Sequence, residues 1–171
     1  PRAYELNTFT RGPVTVHGLI RDFRRCEDSD PVVIRFGRKT HVFDMRAHKY
    51  IGEVDRVQTT LAPGDTAMYA LLPYRVEGLG MNVPAVVKAG EELVARLSLV
   101  AVGTVGDHVA HVELLDPQGH SVWCYTRNEL LPGGKGVVRV PLALNDAKGK
   151  WTLRVRDVLT GAQSEAKFTV Q

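Results

Sequence analysis

Cysteine is scarce in this chain: there are two in 171 residues, Cys26 and Cys124, far apart in sequence. Two distant thiols exclude a disulfide framework as the organising principle and leave the compartment unread. Long apolar runs are also missing. Nothing approaches the roughly 20 residues that a membrane-spanning helix needs, so no membrane partner is expected. One-sided charge is absent too, since 22 basic and 19 acidic residues give a net charge of +3. That balance is too weak and too interspersed to point to nucleic acid. No stretch sustains helical periodicity, which leaves period-two alternation as the main structural signal. The opening residues Pro1-Arg2-Ala3-Tyr4-Glu5-Leu6 include no initiator Met and no charged-then-apolar leader. They read like the interior of a polypeptide, so a piece cut from a longer protein is expected, with a processed mature chain as the alternative.

What remains is ordinary globular material. The chain is 44% apolar and 24% charged, typical of a folded domain. Its length suits one large β-sandwich or two small domains. The clearest local pattern is a hairpin over 41–52, in which Val42 and Asp44 alternate with Phe43 and Met45 before Lys49-Tyr50-Ile51-Gly52 turns and returns. It leads through Ala62-Pro63-Gly64-Asp65 into a last strand ending at Leu72 and Pro73. Strands are predicted over 13–23, 32–36, 39–45, 54–61 and 66–72, with a turn at Gly37-Arg38.

A seam is expected at 74–84, where Gly78, Gly80 and Pro84 interrupt the pattern. The division is drawn as 1–79 and 80–171. It rests on rhythm alone, because charge is as mixed after the seam as before it. Beyond it, strands are predicted over 85–88, 93–102, 108–115, 121–128, 136–142, 151–158 and 165–170. Short strands at this spacing are the pattern of an immunoglobulin-like sandwich, here without the antibody-type Cys…Trp…Cys signature. Trp151, Leu153 and Val155 fall on one face of their strand and are predicted core, with Thr152, Arg154 and Arg156 opposite. The fold class expected is therefore all-β: two antiparallel β-sandwich domains, the second immunoglobulin-like.

On the residues 41–52, Leu61-Ala62-Pro63-Gly64 and Tyr69-Ala70-Leu71-Leu72-Pro73, the stretch 40–73 resembles the C-terminal non-catalytic β-domain of bacterial glycoside hydrolases of the β-galactosidase and amylase kind. The stretch 142–161, with Asp146, Gly149 and Trp151 leading into a strand that ends at Asp157, resembles the penultimate hairpin of bacterial immunoglobulin-like and macroglobulin-like domains. The resemblance implies a tail module of a larger carbohydrate-active protein, with the catalytic domain of that parent polypeptide as partner and an extracellular or periplasmic setting. In such enzymes the catalytic carboxylates sit on the barrel, so none is carried over to this chain.

Reading the residues for chemistry agrees. Asp44, Asp55, Asp116, Asp146 and Asp157 are carboxylates in name for glycoside hydrolysis, but most fall at turns or strand ends, where Asp caps and bends backbone. Glu27-Asp28-Ser29-Asp30 lacks the spacing and the glycine of a calcium loop. His108 and His111 are three apart and point to opposite faces of a strand. His41 and His48 face each other across a hairpin at best and find no third ligand, so no metal is expected. Ser98, Ser121 and Ser164 lack a nucleophile elbow, and the two cysteines lack an activating partner. The glycine-rich run 131–136 leads into a strand and reads as a hairpin loop. Arg21, Arg24 and Arg25 read as a solvated basic cluster.

Aromatic residues leave one alternative open. On a strand over 121–128, Trp123, Tyr125 and Arg127 share a face. Exposed, that face is a small carbohydrate-binding platform, with Tyr50 and Tyr74 as further candidates. Buried, it is core, the commoner fate of large rings. The function expected is a non-catalytic accessory module without cofactor, packing against a catalytic domain or partner subunit, with carbohydrate binding as the alternative. An exposed apolar patch on the first domain is the corollary.

Overall fold

A computed structural model of the chain describes residues 4–23 and 29–171. The expectations for Arg24, Arg25, Cys26, Glu27 and Asp28 lie outside the described residues, whereas Arg21, expected to be solvated with them, is buried and its guanidinium donates to the Leu61 carbonyl. The protein is all-β and, with one exception, antiparallel. It divides into two compact units, Pro1–Arg75 and Val76–Gln171.

The first unit is a single five-stranded sheet of order β1-β2-β5-β3-β4, built from β1 (Tyr4–Arg11), β2 (Val14–Arg21), β3 (Asp30–Asp44), β4 (Lys49–Leu61) and β5 (Thr66–Leu72). Its turns follow from local chemistry. Gly12, at φ 54°, closes the two-residue β1–β2 hairpin, as tight hairpin turns require. At the β3–β4 turn, Asp44 Oδ1 accepts the backbone N–H groups of Arg46 at 2.9 Å and Ala47 at 2.8 Å. Between β4 and β5, Asp65 Oδ2 accepts Ala62 N–H at 2.9 Å. Both are side-chain-stabilised turns of the type Asp favours.

Two expectations about this unit change. The 32–36 and 39–45 segments are one long strand, because Gly37-Arg38 lies in a bulge between Arg35 and Thr40 rather than in a turn. A bulge bends its strand. The bend lets Ile34, Val57 and Leu61, from the far half of the β3–β4 hairpin, pack with Leu19, Ala67, Tyr69 and Leu71 of β2 and β5. One sheet folded over itself thus supplies both layers of the core. The second change is β1, which was not predicted as a strand, while the strand predicted over 13–23 begins one residue later, after the turn at Gly12-Pro13.

The second unit is a two-sheet sandwich. One sheet has the order β11-β8-β6 and the other β10-β9-β12-β13-β7. In chain order these are β6 (Val76–Asn82), β7 (Val86–Val87), β8 (Glu92–Ala101), β9 (His108–Leu115), β10 (Arg127–Leu131), β11 (Lys135–Pro141), β12 (Gly149–Asp157) and β13 (Gln163–Val170). Among the described residues, only β7 and β13 pair in parallel. Period-two burial is strict: Leu93, Ala95, Leu97 and Leu99 on β8, Ala110, Val112 and Leu114 on β9, and Trp151, Leu153 and Val155 on β12 all point inward. Two such faces packed together make a sandwich core.

Here too there are differences. The boundary between the units, Arg75/Val76, falls within the stretch read as a seam, but most of that stretch is strand β6, paired with β8, and its glycines lie opposite Val100 and Ser98. A Cβ on Gly80 would come within 3.2 Å of Ser98 Oγ, so this glycine permits close strand approach instead of marking a linker. The glycine-rich run 131–136 is not a hairpin loop. It carries the chain from β10 in one sheet to β11 in the other, with Gly133 and Gly134 at φ 57° and 76°.

Candidate functional site

The strand expected over 121–128 is absent. Ser121 makes an isolated bridge to Leu115, Trp123–Tyr125 is one turn of 3-10 helix, and β10 starts only at Arg127. Period-two facing therefore does not apply, and the structure does not bring Trp123, Tyr125 and Arg127 together as one platform. Trp123 stands out in solvent, 84% exposed. Tyr125 turns inward and packs edge-on against Trp151, with ring centroids 6.3 Å apart. Arg127 is half-buried at the start of β10, where its guanidinium donates to the backbone carbonyl of Arg139.

The Tyr125 hydroxyl explains the inward turn. It donates to Asp146 Oδ2 at 2.5 Å and accepts Ala143 N–H at 2.9 Å. Ala143 N–H also reaches Asp146 Oδ2 at 2.8 Å, and Trp151 Nε1 donates to the Ala147 carbonyl at 2.7 Å. Two buried rings thereby pin the 142–148 loop. Burial first, and then the hydrogen bond to Asp146, push the Tyr125 phenol up to about 12.

The other candidate residues serve backbone structure. Asp116 Oδ1 accepts the N–H groups of Gln118 and His120, both at 2.9 Å. The His120 backbone N–H, foremost, holds this carboxyl below its usual range. Asp157 is fully buried: Oδ1 meets His108 Nδ1 at 2.9 Å, and Oδ2 accepts Thr160 N–H at 3.0 Å and Thr160 O–H at 2.5 Å. The pair resembles half of a catalytic triad, but both side chains have no exposure. A proton shuttle needs access to substrate. His111 lies on the outer face of β9, opposite to His108, with Nδ1 2.9 Å from Asn128 Oδ1. His41 does not face His48; its Nδ1 is 2.9 Å from the Tyr50 hydroxyl, and the Tyr50 ring carries the Arg75 guanidinium 4.9 Å from its centroid. Among the described residues, no group of three or more His, Cys, Asp or Glu side chains is placed to hold a metal.

The feature the sequence hinted at only in outline is apolar and lies on the first unit. Along the sheet face that points away from the Leu19–Tyr69 cluster, Phe9 pairs with Val16, and Met68 pairs with Gly18. Ile20, one pleat further along β2, completes the strip. Phe9 is 65% exposed, Ile20 44% and Met68 38%. Contiguous exposed apolar surface of this kind marks contact sites. Gly18 could have signalled it, because a strand glycine between Val16 and Ile20 leaves an open shelf beside Met68; no atom lies within 4 Å of where its Cβ would be.

No protein-family model matches this sequence, and no curated protein matches it. Among solved structures, the chain is similar to an FMN-binding β-glucuronidase from Facaelibacterium prausnitzii L2-6, with 9% identity and a TM-score of 0.39 over 92% of this chain and 32% of that one. It is similar to the α-2-macroglobulin of E. coli, with 10% identity and a TM-score of 0.43 over 100% of this chain and 16% of that one. It is also similar to a Salmonella α-2-macroglobulin mutant, with 12% identity and a TM-score of 0.41 over 99% and 16%. The chain spans between 16% and 32% of the length of these proteins. Similarity at this level transfers neither activity nor partner to this chain.

Proposed function

We propose that this chain is a non-catalytic accessory module of a larger carbohydrate-active protein, seating the outer sheet face of its first unit on a catalytic domain or a partner subunit. The observation that carries the reading is the strip of Phe9, Val16, Ile20 and Met68 on one sheet face. Its three exposed members lie together on neighbouring strands β1, β2 and β5 of one face. Fully burying a large apolar side chain is worth roughly 1.5–3 kcal/mol; these three are already partly covered, so about half of that is to be gained at each, enough together to orient a neighbouring domain. The carbohydrate-active parent comes from the resemblance of 40–73 to glycoside hydrolase tail domains. With it goes the finer architectural reading of the second unit as an immunoglobulin-like sandwich, three strands facing five.

Replacing Ile20 and Met68 together with lysine tests this. In the 171-residue chain the double variant should keep its stability within about 0.5 kcal/mol, as exposed substitutions do. In the longer polypeptide that includes the neighbouring domain, it should split one cooperative thermal transition into two. A single unshifted transition in the longer polypeptide would sink the proposal.

One observation favours the second reading, carbohydrate binding: Trp123 offers an open ring face on a turn whose neighbour Tyr125 is pinned. Because Trp151 is buried, solvent-sensitive tryptophan emission belongs to Trp123. Malto-, cello- and xylo-oligosaccharides should then quench it, and Trp123→Ala should abolish the response. Emission indifferent to all three would remove this reading.

A further inference from the structure

We propose that the free edge of β1 pairs antiparallel with β1 of a second copy of this chain, about a two-fold axis through Thr8, joining two five-stranded sheets into one of ten strands. This concerns the sheet edge and shares only Phe9 with the docking face described above.

The first sheet has two edges, and they differ. On β4 the ladder is broken by register shifts at Arg35/Thr40 and Val42/Phe43, and the strand bears Glu53, Asp55 and Arg56. Bulges and edge charges are the devices that keep edges from pairing. β1 has neither lysine nor proline and pairs with β2 in unbroken register over all eight residues, from Tyr4↔Arg21 to Arg11↔Val14. Its other side has no strand partner among the described residues. It also exposes apolar side chains on both faces, Leu6 at 50% and Phe9 at 65%, where a solvent-facing edge normally carries polar ones.

The occupant follows from charge and register. A two-fold axis normal to the sheet keeps each face on its own side, so β1 must be centred on a residue, and opposed positions share a face. Centred on Thr8, the pairing sets Glu5 opposite Arg11 of the second copy, and the reverse, giving two opposite-charge pairs at the ends of the new ladder. Thr8 then meets Thr8, Leu6 meets Thr10, and Phe9 lies diagonal to its counterpart within reach of a ring contact. Asn7 faces Phe9 directly; the Thr8 pair, the diagonal ring contact and the two charge pairs are the favourable cross-strand combinations of this register. Centring on Asn7 sets Glu5 against Phe9, and centring on Phe9 sets Arg11 against Asn7; both lose the charge pairs. Of the three registers, one alone sets Glu5 opposite Arg11. A generic extended peptide has no reason to carry the reverse pattern, whereas a second copy does by symmetry.

Sedimentation equilibrium of the 171-residue chain tests this. The mass should rise with concentration from 18.9 kDa toward twice that value and stop there. Glu5→Arg and Arg11→Glu should each weaken dimerisation about tenfold or more, because each replaces two opposite-charge pairs by two like-charge pairs. The double variant E5R/R11E restores the pairs and should recover the wild-type dimer. Far-ultraviolet circular dichroism of each variant checks that the fold is kept. A mass fixed at 18.9 kDa, growth beyond the dimer, single variants that dimerise normally, or a double variant no better than the singles would each overturn the proposal. Indifference to the charge variants together with sensitivity to Met68→Lys would assign the dimer to the docking face instead.

Discussion

The two units manage apolar residues in opposite ways. In the second, large side chains alternate inward along β8, β9 and β12, and the polar groups that must be buried are paired, as in His108–Asp157–Thr160. In the first, the core forms only because a bulged hairpin folds over its own sheet, and apolar residues remain on the outer face as well. The difference teaches that the second unit closes its core between two sheets, whereas the first bends one sheet to close its own; exposed apolar side chains occur on both, and those of the first that matter to the proposed docking face are Phe9, Ile20 and Met68.

The sharpest way to break that comparison is to attack the self-sufficient core. Leu153 is fully buried on the central strand β12, and Leu153→Ala should destabilise the second unit by about 2–5 kcal/mol, read by urea denaturation followed at Trp151. Removing Asp157 comes next. Asp157→Ala strands a buried imidazole and a buried hydroxyl and should cost about 3 kcal/mol. A loss below about 1 kcal/mol in either case would contradict the close packing and polar pairing read in the second unit.

A smaller effect concerns the Tyr125 hydroxyl. Its phenol is raised from 10.0 to about 12, so the folded state favours the protonated form. The stability it contributes is complete below pH 10 and is lost as pH rises from 10 toward 12. Absorbance at 295 nm should show one tyrosine titrating near pH 12 with alkaline unfolding in the same window. Tyr125→Phe should abolish that titration step and cost about 1 kcal/mol at neutral pH, since Ala143 N–H keeps Asp146 as a partner. The smallest effect belongs to the first unit. Phe9→Ser should change urea stability by less than about 0.5 kcal/mol while lowering the fluorescence of a bound hydrophobic dye, where a core substitution would do the reverse.

How much of this was legible in the sequence tracks the same contrast. β9 and β12 were readable because each buries one full face, so His108–Leu115 and the Trp151, Leu153, Val155 series alternate cleanly. β1 was not, because an edge strand with Leu6 and Phe9 on opposite faces writes no period. The unit boundary is legible near 74–84, but strand β6 within it is not, because Gly78 and Gly80 resemble linker residues until Ser98 is seen against Gly80. At 121–128 the alternation of Trp123 and Tyr125 imitates a strand. What overrides it is a hydrogen bond from Tyr125 to Asp146, 21 positions away, beyond the reach of any local pattern. The apolar strip was foreseeable only as a property of the first part of the chain, since its members come together through the β1–β2 and β2–β5 registers.

Hydroxyl-radical footprinting of Met68 tests the asymmetry between the units most directly. Met68 lies two strands in from the β1 edge, so edge pairing leaves it open and only covering of the sheet face protects it. The expected result is strong Met68 oxidation in the 171-residue chain and protection in the longer polypeptide, with Trp123 labelled equally in both. Equal labelling of Met68 in the two would contradict the proposal that the first unit's outer face is built to be covered.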